Sequence, residues 1–461
     1  MTTSADTDLV VAGAGAAGLA AALAAAEGGC SVTLVEASES FRTGNNTSMS
    51  TSMIPAGGSR WQAELGIDDS PERFESDVML KTGGSADPVV TKALTGVAPE
   101  LVAWLADHCD VPLDLVTDFR YPGHSRDRCH SVPDRAGRTL HSSLLAAVGR
   151  DQSIDLMVPM SLTDVVVDGS RVAGCTVETP DGIPETIRTH AVVLATNGFA
   201  ANGDLVRRYI PEIQDGLYFG GENSNGVALA IGERLGAESG YLDAYQGHGS
   251  VATPHGILVT WAVIMHGGII VNALGKRFGD ETSGYSEYAV PVLDQPGGVA
   301  WMVFDRRIGA LCEPFRDYQD LVENHAIVEC ADAVGLAERI GCDVADLRAT
   351  LEGADRAATG AAPDEYGRSD WGSPLEPPYA LIKITGALFH TQGGLSVDGH
   401  ARVLRRGEPI EGLYAAGGAA VGMSGNGAAG YLAGNGLLAA LGLGFIAGRH
   451  VGSRRLPADE T

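Results

Sequence analysis

Residues 8–36 read DLVVAGAGAAGLAAALAAAEGGCSVTLVE, and this stretch decides the fold of the chain. A short apolar run is followed at once by Gly13, Gly15 and Gly18, which open an alanine-rich stretch of helical character. A second apolar run then ends at Glu36. A strand, a glycine turn, a helix, a second strand and an acidic residue in this order are typical of a βαβ unit that binds a dinucleotide.

Each glycine of this turn has a physical role. Gly13 permits the tight turn, Gly15 lets the backbone approach a pyrophosphate, and Gly18 lets the helix pack closely on the sheet. The helix N-terminus offers free N–H groups and a partial positive charge to phosphates, and Glu36 can accept a hydrogen bond from a ribose hydroxyl. The alternative is a glycine turn in an ordinary βαβ unit, and the complete pattern favours the dinucleotide site over it.

Composition and charge narrow the class of protein. A chain of 461 residues is too long for one simple core, so we expect two domains. The formal net charge of −26 argues against nucleic acid or an anionic membrane as the main partner. The 7 cysteines are scattered and never form a CxxC pair, which predicts buried reduced thiols, with no metal site and no disulfide framework.

Two apolar stretches could be mistaken for membrane spans. Residues 9–26 are largely apolar, but Asp6 and Asp8 precede them where a signal peptide would carry basic residues. Residues 432–448 are apolar but are interrupted by Asn435 and by glycines. The sequence therefore predicts a cytoplasmic protein with no transmembrane segment.

The order of the remaining segments indicates that the nucleotide-binding domain is interrupted by an insertion. Composition shifts near Pro211, and residues 353–373 have the character of a linker before strand-rich, glycine-rich sequence returns. We predict an α/β fold in which a Rossmann-like domain, residues 1–210 and 375–461, is interrupted by an inserted α+β substrate-capping domain, residues 211–374.

Further motifs occur along nearly the whole chain. They are residues 44–47 (GNNT, similar to GGN[ST]), residues 194–198 (LATNG, similar to LATGG), residues 267–272 and 275–278 (GGIIVN and GKRF), residues 390–394 (HTQGG) and residues 412–417 (GLYAAG). In this order, and with the glycine fingerprint, the chain resembles the FAD-dependent fumarate reductase and 3-ketosteroid dehydrogenase flavoprotein family. Its active-site pattern is closest to that of the 3-ketosteroid dehydrogenases.

The resemblance implies a Rossmann-like FAD-binding domain and a non-covalent FAD, because no histidine occupies residues 44–50, where covalent members carry one. Two positions depart from the family pattern: Gly418 stands where many members have a glutamate, and Asn197 replaces a glycine. The helix that starts near residue 434 is implied to face the flavin pyrimidine, where its N-terminus would stabilise negative charge. The implied cofactor-binding residues are Gly13, Gly15, Ala16, Ala17, Gly18, Glu36, Ala37, Asn46, Thr47, Ser48, Val158, Ala195, Thr196, Asn197, Gly198, Gly417, Asn435, Gly436, Leu437 and Leu438.

Arginines separate the two chemistries of this family. Fumarate-type members use arginines to clamp two carboxylates and to deliver a proton. Here residues 282–288 read TSGYSEY where those enzymes carry an arginine, and no arginine or lysine occurs between Arg406 and Arg449. We expect Arg277 to be structural in its turn. A dicarboxylate in a closed site would leave its charges poorly paired, so a fumarate-like reductase is the second hypothesis.

Tyrosines stand where ketosteroid members place catalytic phenols. Tyr121 lies in a YP element, Tyr285 and Tyr288 follow the GKRF motif, and Tyr431 lies in GYLAG. Ala433 stands where one related pattern has a serine. Any of these tyrosines could instead be a packed core residue.

Forming a C=C bond next to a ketone requires a donor that polarises the carbonyl, a base that takes the α-proton, and flavin N5 to accept a hydride. We expect Tyr431 to polarise the carbonyl, and Tyr285 or Tyr288, relayed by Tyr121, to handle the α-proton.

Several histidines are alternative polar groups. His248 and His390 match family positions, and each is as readily expected to be a structural histidine as a catalytic one. His124, His130 and the arginines near them are expected in either a surface loop or a substrate gate.

The leading hypothesis is an FAD-dependent dehydrogenase that acts on CH–CH groups and desaturates a small apolar cyclic ketone similar to a 3-ketosteroid. Electrons would pass to an external acceptor, a quinone or a redox protein. The alternatives are an ene-reductase that runs the reaction backwards, a fumarate-like reductase, and a flavin-binding electron-transfer subunit without its own substrate.

Overall fold

The computed structural model describes residues 6–454, and the outer limits of the first predicted domain, residues 1–5 and 455–461, lie outside them. The strands in chain order are β1 (Leu9–Ala12), β2 (Val32–Val35), β3 (Ile54–Pro55), β4 (Asp114–Leu115), β5 (Cys129–Ser131), β6 (Ile154–Met157), β7 (Ser161–Asp168), β8 (Arg171–Glu178), β9 (Pro184–Ile187), β10 (Val192–Leu194), β11 (Leu217–Tyr218), β12 (Ser239–Gly240), β13 (Tyr245–Ala252), β14 (Ile257–Leu258), β15 (Ile269–Val271), β16 (Val299–Asp305), β17 (Val328–Cys330), β18 (Tyr379–Thr391), β19 (Gly394–Leu395), β20 (Arg402–Arg405) and β21 (Glu408–Ala415). The helices are α1 (Ala16–Glu27), α2 (Arg60–Glu64), α3 (Pro71–Lys81), α4 (Pro88–Asp107), α5 (Gly137–Arg150), α6 (Gly203–Tyr209), α7 (Val227–Leu235), α8 (Ala262–Met265), α9 (Ala289–Leu293), α10 (Arg306–Cys312), α11 (Arg316–Glu323), α12 (Ala333–Ile340), α13 (Val344–Ala358) and α14 (Asn435–Ser453).

The larger sheet has a parallel centre, as the fingerprint predicts. Its strand order is β6–β2–β1–β10–β21–β8–β7, and β6, β2, β1, β10 and β21 run parallel. Ala12 at the end of β1 pairs with Val35 on one side and with Leu194 on the other. The loops that follow β1, β2 and β10 therefore leave the same edge of the sheet, where α/β folds bind their ligands.

α1 and α14 pack at a distance that only small residues allow. A Cβ on Gly444 would lie 2.2 Å from the Ala17 carbonyl oxygen, and a Cβ on Gly448 would lie 2.4 Å from the Ala21 carbonyl oxygen. The alanines of α1 are buried along the helix. The small residues of both helices are therefore required by a backbone-to-backbone contact that spans several turns.

The second sheet forms the capping layer. Its strand order is β14–β13–β18–β16–β15, with β11 and β17 also paired to β18, and it has its own hydrophobic core. The central strand β18 follows residue 374, so this sheet extends beyond the boundary predicted for the insertion. Conversely, α7 lies inside the predicted insertion, but its apolar face packs in the core of the larger sheet. The two layers therefore do not coincide with the domain boundaries that composition predicts, because β18 belongs to the capping layer and α7 to the larger layer.

Two helices within residues 6–454, α4 and α14, are long and apolar enough to cross a membrane by length and composition. The fold buries 50% of the apolar window of α4 and 56% of that of α14. Buried core helices of soluble proteins meet the same criterion, and α14 packs on α1 within the larger layer. Neither helix is therefore by itself evidence for a membrane span.

Candidate active site

A cavity of about 370 Å³ opens between the two layers. One end lies at the loops that follow β1, β2 and β10 and at the first turn of α1. The other end is lined by side chains of β13 and β18 and by the segment that precedes α14. The position of this cavity is that of a ligand site at the carboxyl edge of a parallel sheet.

The glycine turn before α1 is held by two side chains. The Glu36 carboxylate accepts hydrogen bonds from the backbone N–H groups of Ala14 and Ser38, each over 2.8 Å. Thr47 Oγ1 accepts from the backbone N–H of Ala16 over 2.9 Å. Glu36, predicted to contact a ribose, therefore also fixes the conformation of the turn.

The features of this end of the cavity fit the phosphate and ribose groups of a dinucleotide. The first turn of α1 has no acidic residue, and its N-cap, Gly15, has no side chain, so among these N–H groups Thr47 meets only that of Ala16. Gly13 has a φ of +110°, and a Cβ there would lie 2.3 Å from the Ala195 carbonyl oxygen, so only glycine permits the turn. Thr196 Oγ1 is buried without a hydrogen-bond partner among the described residues. The remaining N–H groups of the helix N-terminus can bind phosphate oxygens, and the unpartnered hydroxyl can bind a further ligand oxygen.

Most residues predicted to bind the cofactor line this cavity. They are Gly13, Gly15, Ala16, Ala17, Glu36, Ala37, Asn46, Thr47, Ala195, Thr196, Asn197, Gly417, Gly436 and Leu437. The structure places the others outside the lining: Gly18, Ser48, Val158, Gly198, Asn435 and Leu438.

The two glycines outside the lining have packing roles. A Cβ on Gly18 would lie 1.7 Å from the Gly13 carbonyl oxygen, so Gly18 lets α1 close on the turn. A Cβ on Gly198 would lie 1.9 Å from Thr391 Oγ1. Both glycines therefore shape the site without facing it.

The other residues outside the lining support its walls. Ser48 Oγ donates to the Thr43 carbonyl oxygen over 2.8 Å and so braces the 44–50 loop. Val158 precedes a cis peptide bond to Pro159, and residues 160–162 reach the cavity instead. Leu438 is fully buried in the core of the larger sheet.

The start of α14 meets the cavity through its backbone. The helix follows Gly434, which has a φ of +84° and provides no side-chain cap. The backbone N–H of Gly436 donates to the Tyr431 hydroxyl oxygen over 3.1 Å. Asn435 is fully buried, and its Oδ1 has no partner among the described residues. The N-terminus of α14, together with the Tyr431 hydroxyl that it holds, can stabilise negative charge that develops nearby.

A cluster of tyrosine and histidine rings lines the other end of the cavity. The ring centroid of Tyr285 lies 6.0 Å from that of Tyr431, 6.1 Å from that of Tyr121 and 4.7 Å from that of His248. His390 lies 5.8 Å from Tyr431. The structure therefore brings five of the six predicted catalytic residues together.

Tyr288 is the sixth, and it lies outside the cavity lining. Its ring packs against Phe278 at 5.4 Å and Trp261 at 5.9 Å in the core of the capping layer. Its hydroxyl is buried and has no hydrogen-bond partner among the described residues. Of the two tyrosines that follow the GKRF motif, Tyr285 is thus the one that faces the site.

The surroundings of His248 and His390 hold both rings in the neutral form. The backbone N–H of Ser250 donates to His248 Nδ1 over 3.3 Å, so a neutral His248 carries its proton on Nε2. Gln392 Nε2 lies 2.9 Å from His390 Nδ1, while Gln392 Oε1 accepts from Ser424. Burial lowers the pKa of His248 to about 3 and that of His390 to about 4. Both rings are therefore neutral at pH 7.

The three tyrosines are also held in their neutral form. Burial raises the pKa of Tyr121, Tyr285 and Tyr431 above the ordinary value, and the Gly436 N–H partly offsets this for Tyr431. A protonated phenol suits the donor role predicted for Tyr431. For Tyr285 the direction is opposite to that which a resting base requires.

Positive charge is absent from the lining of this cavity. Among residues 6–454, neither arginine nor lysine lines it. Arg277 lies away from it in buried ion pairs with Glu281 at 2.7 Å and Asp364 at 2.5 Å, as expected for a structural residue. The site thus offers uncharged hydrogen-bond donors but no cation to pair with a carboxylate.

The residues of the lining that sequence reasoning missed include Phe219, Trp261, Phe389 and Gln392. The ring of Phe389 stacks on His248 at 5.1 Å and on Phe219 at 5.0 Å. Gln392 lies within the HTQGG segment and could have been found there. The aromatic residues follow no motif, so only the fold identifies them.

The family with the description "FAD binding domain" matches residues 8–437. The chain belongs to this family. The match covers the glycine turn, the capping layer and the start of α14. The cofactor of the chain is therefore FAD, and the residues of the cradle described above fit its phosphate and ribose groups.

Proteins similar to this chain include fumarate reductases and 3-ketosteroid dehydrogenases. The chain is 28% identical over 452 residues to an NADH:fumarate oxidoreductase of Klebsiella pneumoniae (strain 342). This alignment covers 97% of this chain but only 48% of that protein. It is also 28% identical to a flavocytochrome c3 fumarate reductase in an open conformation, with a TM-score of 0.79 over 97% of this chain and 78% of that one. A 3-ketosteroid-Δ4-(5α)-dehydrogenase of Rhodococcus jostii RHA1, solved with 4-androstene-3,17-dione, is 25% identical with a TM-score of 0.74 over 98% of both chains.

These likenesses confirm the predicted fold, the FAD cofactor and the assignment as an FAD-dependent oxidoreductase; the relatives are FAD-dependent oxidoreductases that act on C=C or CH–CH groups. The chain spans about half the length of the Klebsiella relative, so the activity of that whole protein does not transfer directly. The two kinds of relative differ in substrate charge, and the residues of the cavity must distinguish them.

Proposed function

We propose that this FAD-dependent oxidoreductase desaturates a small neutral cyclic ketone between its α and β carbons. The observation that carries the proposal is the lining of the cavity, where tyrosines and neutral histidines are present and, within the described part of the chain, arginine and lysine are not. Uncharged donors suit a ketone oxygen. Two carboxylates enclosed among them would lose their hydration without a paired cation, at a cost of several kcal/mol.

Tyr431 is the proposed donor to the ketone oxygen. Its hydroxyl oxygen already accepts from Gly436, so its own proton is free for an acceptor in the cavity. Its raised pKa keeps that proton in place at neutral pH. As negative charge develops on the ketone oxygen, the phenol and the N-terminus of α14 stabilise it.

Tyr285 is the proposed group for the α-proton. It lies between Tyr431 and Tyr121, and Tyr121 can relay a proton away from it. Burial raises the pKa of Tyr285, so removal of the α-proton becomes faster as pH rises and a larger fraction of Tyr285 is ionised. Bound FAD supplies the two-electron acceptor for this chemistry.

The reverse reaction, reduction of a C=C bond conjugated to a ketone, is the second candidate. The raised pKa of Tyr285 favours it, because a protonated phenol is the form that gives a proton to the α-carbon. The names of the fumarate reductase relatives also point to reduction. In either direction the partners of the proposal are a small apolar cyclic ketone or enone and an external redox partner, a quinone or a redox protein.

The test is an anaerobic titration of the purified flavoprotein. Saturated 3-ketosteroids and substituted cyclohexanones are added to the oxidised protein, and the visible flavin band is followed. Bleaching by a ketone supports desaturation, and reoxidation of the chemically reduced protein by the matching enone supports the reverse reaction. Reoxidation by fumarate, with no response to ketones or enones, would overturn the proposal.

A further inference from the structure

His124 lies outside the cavity lining and contacts the two segments that carry Tyr121 and Tyr431. Its Nε2 lies 3.1 Å from the carbonyl oxygen of Ala433, two residues after Tyr431. Its backbone N–H donates to the carbonyl oxygen of Tyr121 over 3.3 Å and closes the turn on which Tyr121 lies. The residue is only 6% exposed, which excludes the exposed surface loop that was one of the two alternatives left open by the sequence.

The contact with Ala433 fixes the tautomer of His124. A carbonyl oxygen only accepts hydrogen bonds, so Nε2 must carry the proton. Nδ1 is buried and has no partner among the described residues, so a second proton there would be poorly compensated. Burial accordingly lowers the pKa of His124 to about 4, and the ring is a neutral donor at pH 7.

The loop that carries His124 is held in place by buried hydrogen bonds and ion pairs. The backbone N–H of Ser125 donates to Asp77 over 2.8 Å, and the buried guanidinium of Arg128 pairs with Asp69 at 2.9 Å and Asp77 at 2.5 Å. The ring of His124 also packs near Phe74 of α3. The Nε2–H group is therefore held by the larger layer and not by the capping layer.

The Ala433 carbonyl that His124 binds lies directly before the start of α14. Ala433 is followed by Gly434, the residue from which α14 starts. The peptide between them sets the direction of the first turn of α14, whose Gly436 N–H holds the Tyr431 hydroxyl. A rotation of this peptide would displace the hydroxyl from Gly436.

We propose that His124 is a positioning residue, which holds Tyr431 and Tyr121 in the arrangement that the proposed reaction requires. This inference rests on the proposed function. His124 does not itself line the cavity, so it acts through the Ala433 carbonyl and the Tyr121 turn.

The test compares three variants of the flavin-loaded protein. His124→Phe keeps a ring of similar size but removes the donor, and His124→Gln restores an N–H near the position of Nε2. His130→Gln is the matched control, since His130 is an equally buried histidine of the same region that binds Ser59 and the Ile54 carbonyl. The readouts are kcat and KM for the ketone, and backbone hydrogen exchange of residues 431–437.

We expect His124→Phe to lower kcat by about tenfold or more with little change in KM, because misplacement of a donor acts mainly on the transition state. Exchange at residues 431–437 should accelerate in this variant, and His124→Gln should recover most of both effects. Unchanged exchange in His124→Phe, or equal acceleration in His130→Gln, would overturn the inference. If no ketone reacts with the unaltered protein, the proposed function fails, and the exchange comparison still decides whether His124 holds this segment.

Discussion

Tyr431 and Gly436 are joined across the start of α14 by a hydrogen bond in which the backbone N–H donates to the phenol oxygen over 3.1 Å. The phenol oxygen is thus tied to the helix that also lies on the FAD-binding helix α1, and its proton remains free to face the cavity. A helix N-terminus and a phenol therefore act together on one point of the site.

Replacing Tyr431 by Phe removes that proton and leaves the ring in place. We expect kcat for the ketone to fall by about 100-fold or more, the usual cost of losing one donor to a developing oxyanion. FAD content, measured by absorbance after denaturation, should stay at the level of the unaltered protein. Full activity in this variant would remove Tyr431 from the mechanism.

Replacing Gly436 by Ala tests the same contact from the backbone side. A Cβ at Gly436 would lie 2.8 Å from two atoms of the His390 ring and 3.1 Å from the Tyr431 hydroxyl, so both side chains must move. We expect kcat to fall by about tenfold or more. Gly149→Ala on α5 is the control, because a Cβ there meets no atom within 4 Å, and we expect it to leave kcat unchanged. Equal kinetics in the two variants would contradict the close packing around Gly436.

Glu36 links the glycine turn to FAD affinity. Glu36→Ala removes the acceptor of the Ala14 and Ser38 N–H groups and the predicted ribose contact. Charge-assisted hydrogen bonds of this kind contribute about 1.5–3 kcal/mol each, so we expect FAD to bind at least about tenfold more weakly. Fluorescence titration of the apoprotein with FAD measures the effect. Glu39→Ala, an exposed acidic residue nearby, should bind FAD normally.

Buried histidines predict how stability depends on pH. Burial lowers the pKa of His124 and His130 to about 4 and that of His248 to about 3, whereas the unfolded chain has a value near 6.5. Below pH 6.5 the unfolded state binds protons that the folded state does not, so stability is lost as pH falls. Each ring contributes up to about 1.4 kcal/mol per pH unit in this window.

Guanidinium chloride unfolding at pH 7 and pH 5, with saturating FAD, measures this loss. We expect the free energy of unfolding to drop by several kcal/mol, and the drop to be smaller in His130→Gln, which lacks one of the titrating rings. Equal free energies at the two pH values would show that these histidines accept protons in the folded state.

The proposed role of Tyr285 predicts different pH profiles for the two directions of the reaction. Burial raises its pKa, so its ionised form grows with pH throughout the neutral range. Desaturation should accelerate by up to about tenfold per pH unit, and reduction of the enone should not. Tyr285→Phe should abolish the rise. A desaturation rate independent of pH between 7 and 9 would exclude Tyr285 as the base.

The glycine pattern predicts the backbone at the cofactor end of the site directly, whereas the side chains at the substrate end depend on tertiary packing. The turn at Gly13 and the start of α14 near Asn435 follow from backbone requirements that a glycine pattern records directly. By contrast, Tyr285 and Tyr288 stand in one short irregular segment, and only tertiary packing decides which of them faces the cavity. The burial of His124 could not be predicted from the sequence either, because its partner Ala433 is more than 300 residues away along the chain.

The boundaries of the insertion illustrate a second limit. Composition marks residue 374 as the end of a linker, but β18 after it pairs with β13 and β16 of the capping sheet. Strand pairing joins segments more than 70 residues apart, and this has no signature in local composition.

The contact between α1 and α14 also has a consequence for the design of the molecule. Glycines and alanines let the two backbones meet over several turns, so the predicted FAD-binding helix α1 and the helix that starts beside Tyr431 pack as one unit. The capping layer has a separate core, and it contributes Tyr285 and His248 to the cavity independently of the α1–α14 pair. Cavity-lining residues of the capping layer could therefore be replaced to change the substrate without disturbing the packing of α1 against α14.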